Sequence, residues 1–381
     1  MMRVLVLGAG FGGLEITTDL AERFGGDVEI TLIDKTDSFV FGFSKLDVMF
    51  GRSLPAQVEH AYTDVVKPGV RFVQAEITAI DANAKTVQTT AGEFSGDFMV
   101  IALGADYDFS LTPGLAEHGD EFYTEAGAFA LREKLENFAG GKVVVGVSTA
   151  PFKCPPAPSE TVLLMDELLK KKGTRESSSI DLAMPFGRPI PPSPEASEEL
   201  IKSFAEHGVT WHPDSPVTRL EEGVAHIGDA GETLPFDLYL GVPAHVAPKV
   251  LVESGIAPEG GYVPVDPTTL ETPFDGVYSV GDVAAVGTPR AGVFAEGQAK
   301  IAAGQIAARI AGEQSDELYR GRGTCYIEFG GGSVGKVEIE FFGDVKQGKL
   351  VGPELGMGAD KSQFGRERIK RWFGRDWTPD R

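Results

Sequence analysis

Cysteine is almost absent from this chain: Cys154 and Cys325 are the only two in 381 residues. Two thiols so far apart exclude a small disulfide-stapled fold, and a compartment that keeps thiols reduced makes any bridge between them catalytic rather than structural. The plainer alternative is a pair of buried packing cysteines. No apolar run approaches the ~18 residues needed to span a bilayer. No charged, apolar, small-residue leader precedes the strand that opens at Val4, so a cytoplasmic location is expected. Positive charge is scarce as well: 35 Lys and Arg against 56 Asp and Glu leave a net charge of -21. That field argues against nucleic acid as a partner and against general adsorption to anionic lipid. The six histidines show no metal-ligand spacing with the cysteines, so no metal site is assigned.

What is present is a chain with 42% hydrophobic residues, enough for about two or three domain cores. It opens with the apolar strand Val4 to Leu7, then Gly8-Ala9-Gly10-Phe11-Gly12-Gly13, a helix over Leu14 to Arg23 and a strand over Glu29 to Ile33. Asp34 closes that strand 21 residues after Gly13, close to the ~20 expected of the carboxylate that holds an adenosine ribose. The motif in this context reads as a dinucleotide site, against the alternative of a tight βα turn without ligand. Gly281-Asp282, at the end of a late strand expected over Phe274 to Val280, points to FAD. Its carboxylate suits a ribityl chain, and the helix starting near Val293 and Phe294 aims its positive end at a flavin. Lys300 adds charge there unless it is a solvated lysine. Lys35, Ile77, Ala102, Leu103 and Gly104 complete the cofactor candidates.

A second α/β unit begins at Lys142 to Val147 and runs to about Val265, but its phosphate turn is missing. Gly146-Val147-Ser148-Thr149-Ala150-Pro151 stands where a nicotinamide site needs glycine and free N-H groups, so the unit is expected to be Rossmann-like without serving NAD. The loop Pro151-Phe152-Lys153-Cys154-Pro155-Pro156 follows. Lys153 and the helix after Ser159 are expected to favour the Cys154 thiolate. Glu160 is the candidate general base, against the alternative of a capping or solvated glutamate. Phe39, Phe41, Phe43 and Phe50 offer a cover for a flavin ring or, more plainly, core. Alternation at Val337, Ile339 and Phe341 predicts a small antiparallel sheet after Cys325. The tail from Lys361 to Arg381 is basic, and Ile369, Trp372 and Phe373 share one side of a helix there. That is an interfacial membrane anchor or a helix docked on the protein's own acidic surface.

Taken together, these segments resemble the sulfide:quinone oxidoreductases and the flavin subunit of flavocytochrome c sulfide dehydrogenase. The likeness covers nearly the whole chain, and also includes Tyr278 to Ala284, Phe294 to Lys300 and Thr324-Cys325-Tyr326. It implies an α/β fold like glutathione reductase: a discontinuous FAD domain (1-110 and 266-321), a degenerate second Rossmann-like domain (111-265) and a small α+β C-terminal domain with the basic tail (322-381). It further implies that Cys154 and Cys325 face the flavin as a redox-active pair, with sulfide or polysulfide as substrate and quinone or a redox protein as acceptor. Three departures matter. The third cysteine of most quinone-reducing members is missing, the export signal of the flavocytochrome members is missing, and no cysteine lies between Asp34 and Phe50 to link the flavin. Non-covalent FAD is therefore expected. The rival readings are an NAD(P)H-dependent flavin reductase of the type II NADH dehydrogenase kind and a non-catalytic redox sensor. A homo-oligomer and a peripheral place on the inner membrane face stay open.

Overall fold

The computed structural model describes residues 1–343 and 348–378. β1 (Met2–Leu7) runs into α1 (Phe11–Phe24) and β2 (Val28–Asp34), the βα turn and crossover expected from the glycine motif. After α2 (Gly42–Met49), β3 (Val70–Gln74) and β4 (Phe98–Ile101) complete one side of a parallel sheet. The chain then leaves to build a second parallel sheet. Its strands are β5 (Asp120–Glu121), β6 (Lys142–Val147), β7 (Ser179–Ala183), β8 (Val209–His212) and β9 (Leu238–Val242), with α3 (Ala157–Lys172) following β6. It returns through β10 (Val277–Ser279) and α4 (Gly292–Ala311). The two sheets have the orders β10-β4-β1-β2-β3 and β5-β9-β6-β7-β8. Nearly unbroken apolar strands such as Val143-Val144-Val145 are what a sheet covered on both faces requires, and these three are fully buried.

The first sheet is therefore discontinuous in sequence: β10 pairs with β4 in parallel, Val277 opposite Met99. The strand expected over 274–280 is shorter, because the Phe274 carbonyl accepts from Val277 N (3.1 Å) in a turn that delays pairing. The antiparallel connection of Asp106–Asp108 to Ala244–Val246 ties together the two segments that join the units. The C-terminal part is an antiparallel sheet of β11 (Arg322–Glu328), β12 (Val334–Glu340) and β13 (Lys349–Glu354), closed by α5 (Gly358–Phe373). Phe341 lies just past β12.

α5 decides between the two readings of the tail, and the anchor fails. Ile369 and Trp372 are fully buried and Phe373 nearly so, packed into the core beneath the first sheet. Trp372 meets the rings of Phe11 and Phe39 at 5.4 and 5.6 Å. The physical reason is Glu15, a carboxylate fully buried on α1. A buried charge must be paired, and Arg371 Nη2 (3.0 Å) and Trp372 Nε1 (2.7 Å) both donate to it. Asp380 and Arg381 of the tail lie outside the described residues. No helix among the described residues is long and apolar enough to cross a membrane.

Candidate functional site

Three cavities meet along the carboxyl ends of the first sheet, where open α/β sheets bind ligands. The first, about 390 Å³, is lined by Gly8, Gly10, Asp34, Lys35, Ile77 and the Ala102-Leu103-Gly104 turn, among others. The second, about 290 Å³, shares Gly10, Ala102 and Gly104 with it and continues past Gly12, Phe43, Lys45, Tyr123, Gly281 and Asp282 to Cys154. The third, about 120 Å³, holds Cys154 and Glu160 again, with Cys325, Tyr326 and Lys361 opposite. Cofactor candidates from five separate stretches of sequence and both cysteines thus border one continuous trough.

The first two cavities fit a flavin dinucleotide. Gly8 has a φ of +98°, and a side chain there would strike the Ala102 carbonyl; a Cβ on Gly13 would strike the Gly8 carbonyl. A Cβ on Gly10, by contrast, would meet no protein atom within 4 Å. The backbone is therefore packed tight behind the turn and left open in front of it, at the positive end of α1, as a pyrophosphate needs. Asp34 accepts from Ala9 N (2.7 Å), Thr36 N (2.9 Å) and Thr36 Oγ1 (2.8 Å), which fixes its carboxylate at the rim of the first cavity. At the other end Ala291, which caps α4, and Gly292, its first residue, line the second cavity.

Several expectations move. Phe294 points away from the cavity, buried against Phe341 and Gly323 behind the antiparallel sheet. Val293 lines the third cavity instead of the second. Lys300 is half-exposed and pairs with Glu296 (2.7 Å), outside all three cavities. Of the aromatic cluster Phe39 and Phe43 line the second cavity and Phe43 the third as well; Phe41 is core, and Phe50 packs against the second unit.

The expectation of a thiolate at Cys154 is corrected too. Burial pushes the thiol well above its ordinary value, and the neighbouring Glu160 and Cys325 push the same way, against weaker help from Lys361 and Lys45. Lys153 does not serve it: its Nζ donates to the Ala105 carbonyl (2.8 Å) and sits over the Tyr107 ring. The loop backbone holds Cys154 at φ 50°, uncommon for a residue with a Cβ. Its N-H donates to the Arg290 carbonyl (2.7 Å), and its carbonyl accepts from Ala157 N (2.9 Å). Burial likewise pushes the Cys325 thiol up to about 12, with Glu160 adding to it. Both cysteines are free thiols.

Glu160 is neither a cap nor solvated. It is 3% exposed on the inner face of α3, and burial raises its carboxyl, opposed by Lys361. Its Oε1 accepts from Glu328 N (3.0 Å) and lies 3.7 Å from Lys361 Nζ. Sequence reasoning missed Lys45, Tyr107, Tyr123 and Arg290 on the flavin-sized cavity, and Lys361 on the thiol cavity. Burial lowers Lys45 to about 8, and its Nζ donates to the Tyr123 carbonyl. Arg290 Nε donates to the Asp282 carbonyl (3.0 Å) with its guanidinium over Tyr262. Lys45, Lys153 and Arg290 all temper the rise that burial imposes on Asp282. Among the described residues no three His, Cys, Asp or Glu side chains gather as a metal site.

Residues 2–149 match the family model of pyridine nucleotide-disulphide oxidoreductases. The mitochondrial sulfide:quinone oxidoreductase of Dictyostelium discoideum is 25% identical over 340 residues, covering 85% of this chain and 75% of that protein. The type II NADH:quinone oxidoreductase of Staphylococcus saprophyticus is 27% identical over 303 residues, 74% of each chain. The solved sulfide:quinone oxidoreductase of Aquifex aeolicus shares the fold at a TM-score of 0.87 and 22% identity, covering 98% of this chain and 92% of that one. With that fold, an open glycine cradle and a flavin-sized trough, the chain is similar to FAD-dependent oxidoreductases of the sulfide:quinone oxidoreductase kind.

Proposed function

We propose that this protein oxidises sulfide or a short polysulfide at Cys154 and Cys325 and delivers the electrons through FAD to a quinone or a redox protein. The observation that carries the proposal is the placement of Cys154 on the wall of both the flavin-sized cavity and the cavity that contains Cys325. FAD would be held non-covalently, the ribose at Asp34, the pyrophosphate at Gly10 and the start of α1, the ribityl chain near Asp282. When bound, it supplies a two-electron acceptor beside Cys154.

The residues then divide the work. In the oxidised pair, a hydrosulfide ion attacks one cysteine sulfur; the S–S bond breaks, a persulfide bond forms, and the other cysteine leaves with the electron pair as thiolate. Burial disfavours that thiolate, so a base and acid must stand beside it, and Glu160 borders the same cavity. Apolar walls from Phe43, Pro156 and Val293 limit water at the sulfurs. A second hydrosulfide ion takes the outer sulfur away as hydrodisulfide and leaves both cysteines as thiolates; the S–S bond re-forms as they give up two electrons, which bound FAD would accept.

Anaerobic titration with sulfide tests this through the flavin absorbance. Sulfide is expected to bleach the wild type, and Cys154→Ser and Cys325→Ser each to abolish bleaching with FAD retained; the double variant should be little worse than either, since the sulfurs act as a unit. The type II NADH:quinone oxidoreductase match supports a second reading. Bleaching by NADH faster than by sulfide would establish it and end the first.

A further inference from the structure

Lys361 belongs to the basic tail, yet it is 2% exposed. It reaches the thiol cavity from α5 and lines it together with Cys154, Glu160 and Cys325. Its ammonium lies 2.5 Å from Glu328 Oε1 and 3.7 Å from Glu160 Oε1, with the Phe43 ring 5.4 Å away. Arg52, on the far side, binds Glu328 Oε2 at 2.5 Å and approaches Glu167 at 3.4 Å, and Glu167 is half in solvent. A row of alternating charge, Glu160, Lys361, Glu328, Arg52 and Glu167, thus runs from the cysteines to the surface, and four segments of chain contribute to it.

We infer that Lys361 is the positioning residue for Glu160: with the Glu328 N-H it holds Oε1 in place and leaves the other carboxylate oxygen to the cavity between the cysteines. This deepens the proposed function and rests on the thiol pair being its working site. The groups facing Glu160 are Lys361 from α5, Glu328 and Cys325 from β11, Cys154 from the loop before α3, Asp47 from α2 and Tyr123. Among these Lys361 is the one cation, and it opposes the rise that burial, Glu328 and Asp47 impose on the Glu160 carboxyl. It also opposes the rise at Cys154. Glu328 itself would rise through burial, but Lys361 and Arg52 outweigh that and hold it at about 2. Glu328 thereby stays ionised and keeps the ammonium in place.

The sign of the effect is testable without turnover. The FAD-loaded, reduced protein is alkylated with iodoacetamide across neutral to alkaline pH, and each cysteine is followed by mass spectrometry. Lys361→Met removes the cation, so at pH 7 Cys154 should react on the order of tenfold more slowly, with the profile displaced upward by about one pH unit. Lys361→Arg keeps the charge and should restore the rate to within about threefold. Glu328→Gln removes an anion and frees the ammonium toward Glu160, so Cys154 should react about threefold faster. A merely structural role would move Lys361→Met and Glu328→Gln in the same direction, and that result overturns the inference, as does a wild-type rate in Lys361→Met. If Lys361→Met does not fold, an unaccelerated Glu328→Gln overturns it alone. The alkylation profile is read without sulfide, so failure of this inference and failure of the sulfide reaction are told apart.

Discussion

The chain makes the same βα turn twice and uses it in opposite ways. Between β1 and α1 three residues connect strand to helix, glycines clear the front of the turn, and the helix presents its N-terminus to open space. Between β6 and α3 the connection runs over 148–156 and carries three prolines and Cys154. Several of its N-H groups are spent or absent: Ser148 N goes to Val242, Cys154 N to Arg290, and Pro151, Pro155 and Pro156 have none. Behind this turn the Tyr239 ring fills the space beside Gly146. A parallel βα unit therefore supplies a place at the sheet's carboxyl edge. Whether that place receives a phosphate or a thiol depends on the few residues between strand and helix.

Breaking the first turn should have the largest effect on flavin retention. Gly13→Ala puts a methyl group into the Gly8 carbonyl and within 3.5 Å of Val6, with little room to give because Val6 is in β1 and Gly8 N is bonded to the Ile33 carbonyl (2.8 Å). Overpacking of this kind costs about 1–3 kcal/mol or more, and the displaced turn can no longer present its N-H groups. Purified Gly13→Ala should be colourless, or lose FAD on gel filtration; a yellow protein with wild-type melting temperature would show that the turn is not the cradle.

The next largest effect comes from the helix that braces this turn. α5 touches α1 through Glu15, Arg371 and Trp372, and α3 through Lys361 and Glu160. Trp372→Ala opens a cavity among Phe11, Phe39 and Phe41 and takes one donor from the buried Glu15. A loss of about 3–5 kcal/mol is expected for the cavity, read by urea unfolding, along with weaker FAD retention. Anionic liposomes should not protect the variant. Stability within about 1 kcal/mol of wild type would return the tail to the role of a membrane anchor.

How much of this was legible in the sequence follows from distance along the chain. The first βαβ unit was readable because the strand, the glycine turn, the helix and Asp34 lie within 34 residues and obey local rules. The antiparallel pattern after Cys325 was readable from alternation, although Phe341 falls outside its strand. The electrostatics at Cys154 were not. Lys153 is adjacent in sequence, but its ammonium is turned away to the Ala105 carbonyl. The cations that oppose the rise at Cys154 are Lys361, more than 200 residues away, and Lys45. A signal for the former existed: Lys361, Gly365, Ile369 and Trp372 are spaced as one helix face, and all four are buried. Reading the tail by its charge hid that stripe. The same holds for Lys45, a lone cation in an aromatic stretch, whose partner Tyr123 no local rule supplies.

The smallest effect is expected at the second turn, and it sharpens the comparison most. Ser148 stands where a phosphate-binding turn would offer a donor, and it is 6% exposed with no protein partner for its hydroxyl. If this turn bound a nucleotide, Ser148→Ala would remove a contact to it and slow flavin reduction by NADH. If the turn serves only to place the cysteine loop, the substitution deletes a buried hydroxyl that makes no protein hydrogen bond, so the change in stability should stay within about 1 kcal/mol. Its neighbours argue for the second case: Ser148 N is already directed to the Val242 carbonyl at 3.4 Å, and Val147 and Phe152 on either side are packed in the second core. We therefore expect Ser148→Ala to keep wild-type flavin content, wild-type bleaching by sulfide and an unchanged, slow response to NADH in stopped-flow mixing. A selective drop in the NADH rate would place a nucleotide at the second turn and erase the contrast with the first.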